Sequence, residues 1–437
     1  MTTLLVVGPS EISGSVSVPG DKSISHRGLM LGAVATGRTT LRNVAPGADV
    51  ASTASCLTAY GTAIERRDAI VTIDSSGIAH WREPQSVLDC GNSGTTMRLL
   101  AGLAAQLGLC SRFDGDASLR RRPMERVAIP LRVLGAKVTT SEGGVPPIEV
   151  EGGNLHGAVV DTAIASAQVK SAVLLAALGA DDRCIVTEPF ATRDHTERML
   201  AALGAEISWA RTPEGNTIDV LPYVPPPFEV NVPGDVSSAA FVIAAGVVAG
   251  TAGGMVDMEG VGLNMSRLGF LEALRTMGAD VSWDVTEERM HEAVGRIEAK
   301  RSSLGPITIG ESEIPAIHDE LPLLAVLATQ AEGESVVRGA GELRVKESDR
   351  ISATVDGLRR MGADIDELDD GFVIRGPMRL HGATVDAAAD HRIAMAFAVA
   401  GLMAEGQTQI EGFEAADVSW PSFDEVLTSL GAKAELR

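Results

Sequence analysis

The charged residues with the clearest chemistry stand in short polar turns, each directly ahead of an apolar segment. Asp21-Lys22-Ser23-Ile24-Ser25-His26-Arg27 carries two cations, and Arg27 offers an anion a bidentate guanidinium. Asp89-Cys90-Gly91-Asn92-Ser93-Gly94-Thr95-Thr96 has glycines that let a ligand approach the backbone. Ser166-Ala167-Gln168 opens a third segment, with Lys170 just inside it. Arg120-Arg121-Arg122-Pro123-Met124 packs like charge together in an acidic chain, a self-repelling run unless an anion visits. Arg193-Asp194-His195-Thr196-Glu197 reads as a helix cap built on Asp194 or Thr196, with Arg193 left over for other work. The second half supplies carboxylates in Asp319-Glu320, in Lys346-Glu347-Ser348-Asp349-Arg350 and in Asp390-His391-Arg392. Ser348 is the expected cap of the middle cluster. Alone, each cluster is a solvated turn or a cap. Recurring at one place in every repeat, they are more than caps, and the chemistry they suit is the binding of phosphate and carboxylate.

The elements that must position them repeat six times. Apolar helices are expected to start near Ser25, Thr95, Ser166, Ser237, Asp319 and Asp390, at spacings of 70, 71, 71, 82 and 71 residues. Amphipathic segments stop at Gly61, Gly135, Gly204, Gly278, Gly362 and Gly431 in the same phase. Glycine there is a left-handed helix stop, and the polar–apolar alternation after it reads as strands. Each repeat is therefore strand, polar turn, apolar helix, strand, amphipathic helix, glycine, strand pair. The first helices, such as LLAGLAAQL (99–107) and AVLLAALGA (172–180), lack a polar face and must be buried all round. The second kind, such as TERMLAALG (196–204), turns Met199, Leu200 and Leu203 inward and exposes Arg198.

Pro19-Gly20-Asp21-Lys22-Ser23 returns as Pro233-Gly234-Asp235-Val236-Ser237, so repeats one and four are equivalent openings of two three-repeat domains. The expected domains are 19–233, and 1–18 with 234–437, with crossings at the two Pro-Gly turns. The longer fourth interval places an insertion in the charged stretch from Glu287 to Lys300. Parallel buried helices would converge three N-termini per domain, and facing domains would surround a cleft with six. Such ends carry free amide hydrogens and partial positive charge.

Composition sets outer limits. Hydrophobic content of 45% and charged content of 22% are those of a soluble globular protein, and the length suits two cores. The net charge of -21 argues against nucleic acid as a partner. Cys56, Cys90, Cys110 and Cys184 have no metal or redox spacing, which fits a reducing compartment. Leu4 to Val7 is too short an apolar run for a signal peptide. Residues 236–256 are uncharged and nearly membrane-length, but they are repeat four and break at glycines, so a buried helix is expected.

The motifs PGDKSISHR (19–27), GNSGTTMR (91–98), GDASLRRRPM (115–124), SAQVKSA (166–172), RDHTE (193–197), the Asp319 segment, LRVKESDR (343–350) and DHRIAMA (390–396) together resemble the 5-enolpyruvylshikimate-3-phosphate synthase family over essentially the whole chain. The resemblance implies a two-domain inside-out α/β barrel, each domain three β-α-β-α-β-β units, joined by two crossing strands and closing on substrate. It implies transfer of the enolpyruvyl group of phosphoenolpyruvate to the 5-hydroxyl of shikimate 3-phosphate, with release of phosphate by carbon–oxygen cleavage. That step belongs to the shikimate pathway toward chorismate and the aromatic amino acids. No metal or organic cofactor is implied, and a cytoplasmic monomer without membrane attachment is expected. By the resemblance, Lys22, Ser23, Arg27, Ser166, Ala167, Gln168, Arg193, Asp319 and Lys346 hold shikimate 3-phosphate. Lys22, Gly94, Arg122, Gln168, Arg350 and Arg392 hold phosphoenolpyruvate. Asp319 is the expected base at the 5-hydroxyl and Glu347 the acid at the methylene carbon, with Lys22 beside the reacting groups. Phosphate near Glu347 would favour the protonated form that an acid needs.

Three positions depart from the family pattern. Val418 in DVSWPSF (417–423) stands where some members have lysine. Forms such as SAQVK resemble the glyphosate-tolerant class, yet tolerant members often have Ala where this chain has Gly94, and sensitive ones often have Pro in place of Leu99. Room at Gly94 leads us to expect measurable inhibition by glyphosate; a steady-state rate unmoved by saturating inhibitor would refute it. The sister family that acts on UDP-N-acetylglucosamine carries a reactive cysteine on its mobile loop, and the loop from Asp114 to Met124 has none. A non-catalytic anion-binding repeat protein would keep Lys22, Arg122, Arg350 and Arg392 without needing both Asp319 and Glu347.

Overall fold

The computed structural model describes residues 2–212 and 215–437. The six stop glycines set its rhythm: all have φ between 86° and 110°, a region closed to most residues with a Cβ. Repeat one holds α1 (Lys22–Val34) and α2 (Ala48–Ala59), repeat two α3 (Gly94–Ala104) and α4 (Glu125–Val133), and repeat three α5 (Ala167–Ala177) and α6 (His195–Ala202). Repeat four holds α7 (Val236–Ala249) and α8 (Gly269–Thr276). In repeat five the short α9 (Ile314–Ile317) precedes α10 (Leu321–Ala328) and α11 (Arg350–Arg360). Repeat six holds α12 (His391–Met403) and α13 (Phe423–Ser429).

Each repeat folds against a four-stranded sheet. The strand entering the repeat pairs in parallel with the strand after the first helix, and the last two strands close the sheet antiparallel. In repeats one and four the entering strands are exchanged. Glu229–Asn231 pairs with residues 40–42, while Gly14–Ser15 pairs with residues 256–257. Repeat six takes its inner strand from the other end of the chain: Thr3–Gly8 lies between Gly406–Glu411 and Lys433–Leu436.

Two compact units result. One is Met1–Pro19, Pro233–Glu287 and Ala293–Arg437; the other is Gly20–Val232 with Glu288–Glu292. Each has its own apolar core. The short segment 288–292 differs from the sequence reading, which kept it with the rest of 234–437. It is the tip of the lengthened hairpin Val281–Arg289 and Glu292–Ala299, and the Glu292 carboxylate meets the His195 ring at 2.7 Å within its unit.

Within the unit Gly20–Val232, the buried helices α1, α3 and α5 pack together. Their approach is close because Gly102 lies on the backbone of α5: a Cβ there would come within 2.1 Å of the Ala172 carbonyl oxygen. In the other unit α7, α10 and α12 pack on one another in the same way. α7 is buried along nearly its whole length, and no helix among the described residues is long and apolar enough to cross a membrane.

Candidate active site

In the unit Gly20–Val232, caps and cations occupy the starts of the three packed helices. Asp21 caps α1 by accepting the Ile24 amide at 2.8 Å, which leaves Lys22 to reach the Asp49 carboxylate at 3.1 Å. Arg27, one turn further along, is buried and gripped on three sides. It donates to the Ser23 carbonyl (2.9 Å), the Thr196 hydroxyl (2.7 Å) and the Ser171 hydroxyl (2.6 Å). Burial lowers its pKa to about 10, against the pull of Glu197, Asp21 and Glu292, so Arg27 is a cation at neutral pH. His26 is the opposite case. Desolvation, helped by the charges of Lys22 and Arg27, holds its pKa well below the usual value, and its Nδ1 bonds the Thr53 hydroxyl at 2.7 Å. A neutral, buried imidazole of this kind is structural.

Ser93 caps α3, accepting from the Thr96 amide at 3.1 Å, and Gly94 is the first helical residue. A Cβ at Gly94 would lie 3.2 Å from Arg98 Nη1 and 3.4 Å from Arg122 Nη1, so two guanidinium groups meet over this glycine. Arg122 is buried and donates to Asn92 Oδ1 at 2.7 Å. The arginine run does not rely on a visiting anion alone to offset its repulsion, because Arg120 forms a two-bond pair with Asp114 at 2.9 and 2.6 Å. Ser166 caps α5 through the Val169 amide at 3.4 Å. The Gln168 amide is held at both ends: its Oε1 accepts from Arg98, and its Nε2 donates to Thr95 Oγ1 at 2.9 Å. Lys22, Ser23, Arg27, Gly94, Arg122, Ser166, Ala167 and Gln168 thus all lie at or beside these helix starts. Arg193 stands two residues before α6 and within electrostatic reach of Arg27. Asp194 heads α6 without bonding its amides; the Asp194 carboxylate instead accepts from Arg198 Nε at 2.9 Å, which leaves Arg198 half-buried rather than exposed.

The other unit gathers the acids around Arg350. This buried guanidinium donates to Asp319 Oδ1 (3.2 Å), Glu347 Oε2 (2.7 Å) and Asp390 Oδ2 (2.8 Å). Burial alone would lower its pKa; Asp390, Glu347 and Asp319 outweigh that and keep it firmly protonated. Asp319 is not the cap residue of α10; Glu320 stands at that position, and its side chain makes no cap bond. Ser348 is not the cap of α11 either. Asp349 takes that place by accepting the Ser352 amide at 3.1 Å, and the Ser348 hydroxyl donates to Asp390 at 3.1 Å. Lys346 has its pKa lowered to about 8, by burial first and by Arg350 in addition, with Asp319 and Glu347 opposing. Arg392 is buried at 6% exposure, and its Nε has no hydrogen-bond partner among the described residues. Its Nη1 reaches the Ser237 carbonyl at 3.3 Å and Glu320 at 3.6 Å. A buried cation with a donor to spare suits an anionic oxygen.

Sequence reasoning missed four side chains that order these clusters. Arg98 closes the motif GNSGTTMR one helical turn after Gly94, and that spacing was its signal. Asp390 was visible only as part of a turn, though it is fully buried and serves both Arg350 and the Arg392 amide, the latter at 2.9 Å. Asp49, which pairs with Lys22, and Glu188, which pairs with the buried Lys170 at 2.8 Å, carried no local signal at all.

Cations and carboxylates assembled at the starts of buried helices, in six such repeats, mark an α/β repeat enzyme that handles anions. The model of the EPSP synthase (3-phosphoshikimate 1-carboxyvinyltransferase) family matches residues 6–427, and the chain belongs to that family. The 3-phosphoshikimate 1-carboxyvinyltransferase of Roseiflexus sp. (strain RS-1) is 46% identical, over 98% of this chain and 99% of its own length. The enzyme of the same name from Synechococcus sp. (strain RCC307) is 48% identical at the same coverage. A solved EPSP synthase from Acinetobacter baumannii superposes with a TM-score of 0.87 at 40% identity, covering 100% of both chains.

Proposed function

We propose that this chain transfers the carboxyvinyl group of phosphoenolpyruvate to the 5-hydroxyl of shikimate 3-phosphate and releases inorganic phosphate, within the shikimate pathway. The observation that carries the reading is Arg350, which gathers Asp319 and Glu347 in one cluster with Lys346 beside them. An anion-binding protein without chemistry has no use for two carboxylates held there.

Asp319 takes the proton of the 5-hydroxyl as its oxygen bonds C2 of phosphoenolpyruvate. Glu347 gives a proton to C3, which becomes a methyl group, and C2 becomes tetrahedral. The Glu347 carboxylate then takes a proton back from the methyl group, the C2–C3 double bond returns, and phosphate departs with the bridging oxygen, carrying the proton that Asp319 had received. Lys22, Ser23, Arg27, Ser166, Ala167, Gln168, Arg193, Asp319 and Lys346 bind shikimate 3-phosphate in this scheme. Lys22, Gly94, Arg122, Gln168, Arg350 and Arg392 bind phosphoenolpyruvate. The unmatched Nε of Arg392 and the paired guanidiniums over Gly94 support that division. We place the enzyme in the cytoplasm as a monomer.

The test offers purified protein phosphoenolpyruvate with shikimate 3-phosphate, with UDP-N-acetylglucosamine, or with neither. Phosphate release with shikimate 3-phosphate alone, and a carboxyvinyl ether in the product spectrum, is the expected result. Release with the nucleotide sugar, or none with either acceptor, overturns the proposal.

A further inference from the structure

One buried charge cluster has no part in the scheme above. Lys170 lies on α5, fully buried in a helix otherwise built for an apolar core, and it meets two carboxylates that are themselves fully buried. Its ammonium is 2.8 Å from Glu188 Oε1, 2.8 Å from Glu197 Oε1 and 3.5 Å from the Thr192 carbonyl. Of the three N–H donors of an ammonium, this one gives hydrogen bonds to Glu188 Oε1 and the Thr192 carbonyl, and it meets Glu197 as an ion pair. Glu188 ends the strand Cys184–Glu188, and Glu197 sits in the first turn of α6. Arg193 lies between them.

We propose that Lys170 is a positioning residue for shikimate 3-phosphate: it clamps both ends of the segment carrying Arg193 against the helix that begins with Ser166, Ala167 and Gln168. The inference rests on the reading of those four residues as the shikimate 3-phosphate site.

The surrounding bonds point the same way. Glu188 also closes the turn before Arg193, accepting the Thr192 amide at 3.1 Å, the Thr192 hydroxyl at 2.6 Å and the Asn216 amide group at 2.7 Å. The residues next to the ion pair, Ser171 and Thr196, are the two hydroxyls that hold Arg27, and they bond each other at 2.7 Å. Thus α5 and α6 are locked in register by a charge pair at one position and by a shared guanidinium at the next. A buried ion cluster is a poor way to gain stability, because desolvation offsets much of the attraction. Its value here is geometric. Two carboxylates of one segment are fixed to a single point on a neighbouring helix. Desolvation would drive the Lys170 pKa down, but Glu197 and Glu188 outweigh it, and the cluster keeps a cation at its centre.

The test measures KM for each substrate, kcat and Tm for Lys170→Met, Lys170→Arg, Glu188→Gln, Arg193→Ala and the Lys170→Met/Arg193→Ala double variant. Lys170→Met is expected to raise KM for shikimate 3-phosphate about tenfold while KM for phosphoenolpyruvate stays within about twofold. Lys170→Arg, which keeps the charge, recovers part of the loss. The double variant is expected to be no worse toward shikimate 3-phosphate than Arg193→Ala alone, because a residue acting through Arg193 adds nothing once Arg193 is gone. Should Lys170→Met not fold, Glu188→Gln carries the test with the same sign. A lower Tm with both KM values unchanged, an equal rise in both, or additive effects in the double variant overturns the proposal. If Arg193→Ala itself leaves KM for shikimate 3-phosphate unchanged, the site assignment fails instead.

Discussion

Asp319 and Glu347 share the Arg350 guanidinium, and that sharing is what a reading of them as base and acid requires: two carboxylates held in place, neither spent on capping a helix. Asp319→Ala and Glu347→Ala should each lower kcat by about 100- to 10,000-fold, a far larger change than any in KM for either substrate. Wild-type turnover in either variant removes that residue from the mechanism. Lys346 gives a second prediction through its pKa of about 8. In the proposed scheme the Lys346 cation holds shikimate 3-phosphate; it is present below that pH and lost above it, so kcat/KM should fall on the alkaline side with a midpoint near 8. Lys346→Arg should push that limb upward, since arginine stays charged; an identical profile in the variant contradicts the assignment. Stability runs the other way. Between about 8 and the ordinary value of 10.5 the unfolded chain keeps a proton that the folded one has lost, so this group's contribution to stability rises across that window. The candidate residues were legible because each sits in a short motif. Their partners were not: Asp390 is 40 residues from the Arg350 it serves, and Glu188 is 18 from Lys170. Pairings set by packing leave no trace in local spacing.

At the scale of elements, the proposed scheme needs the first helices close enough for their starts to share ligands, and Gly102 lets α3 and α5 approach that closely. Gly102→Ala would drive a methyl group into the α5 backbone, 2.1 Å from the Ala172 carbonyl oxygen, where no flexible side chain can yield. Overpacking of this kind destabilises by about 1–3 kcal/mol. Scanning calorimetry should show a lower Tm for Gly102→Ala, together with weaker use of both substrates, because Gly94 and Gln168 ride on those helices. An unchanged Tm would mean that the helices separate freely and do not fix the site. Helix starts and glycine stops were legible because capping and positive φ each demand particular residue types. The choice of cap was less so. In LRVKESDR both Ser348 and Asp349 suit the role, and what decided it was the Asp390 carboxylate taking the Ser348 hydroxyl.

Across the whole molecule, six repeats were legible from their period alone, while the exchange of strands was only hinted at by the Pro-Gly turns. Strands of two or three residues, such as Gly14–Ser15 and Glu229–Asn231, carry too little pattern to assign. Thr3–Gly8 is an inner strand of the sixth sheet, bonded on both sides, with Leu4 and Val6 fully buried. A chain lacking residues 2–8 would leave buried backbone groups unpaired. It should therefore lose hydrogen-exchange protection along Gly406–Glu411 and α12; native-like protection there would contradict this topology.

The most direct measurement uses phosphoenolpyruvate labelled with oxygen-18 at its bridging position, incubated with shikimate 3-phosphate and the protein, with mass spectra taken of both products. The account predicts that the label leaves in inorganic phosphate and that shikimate 3-phosphate gains an unlabelled carboxyvinyl group. Label retained in the organic product, or no phosphate released when shikimate 3-phosphate is added, would contradict it.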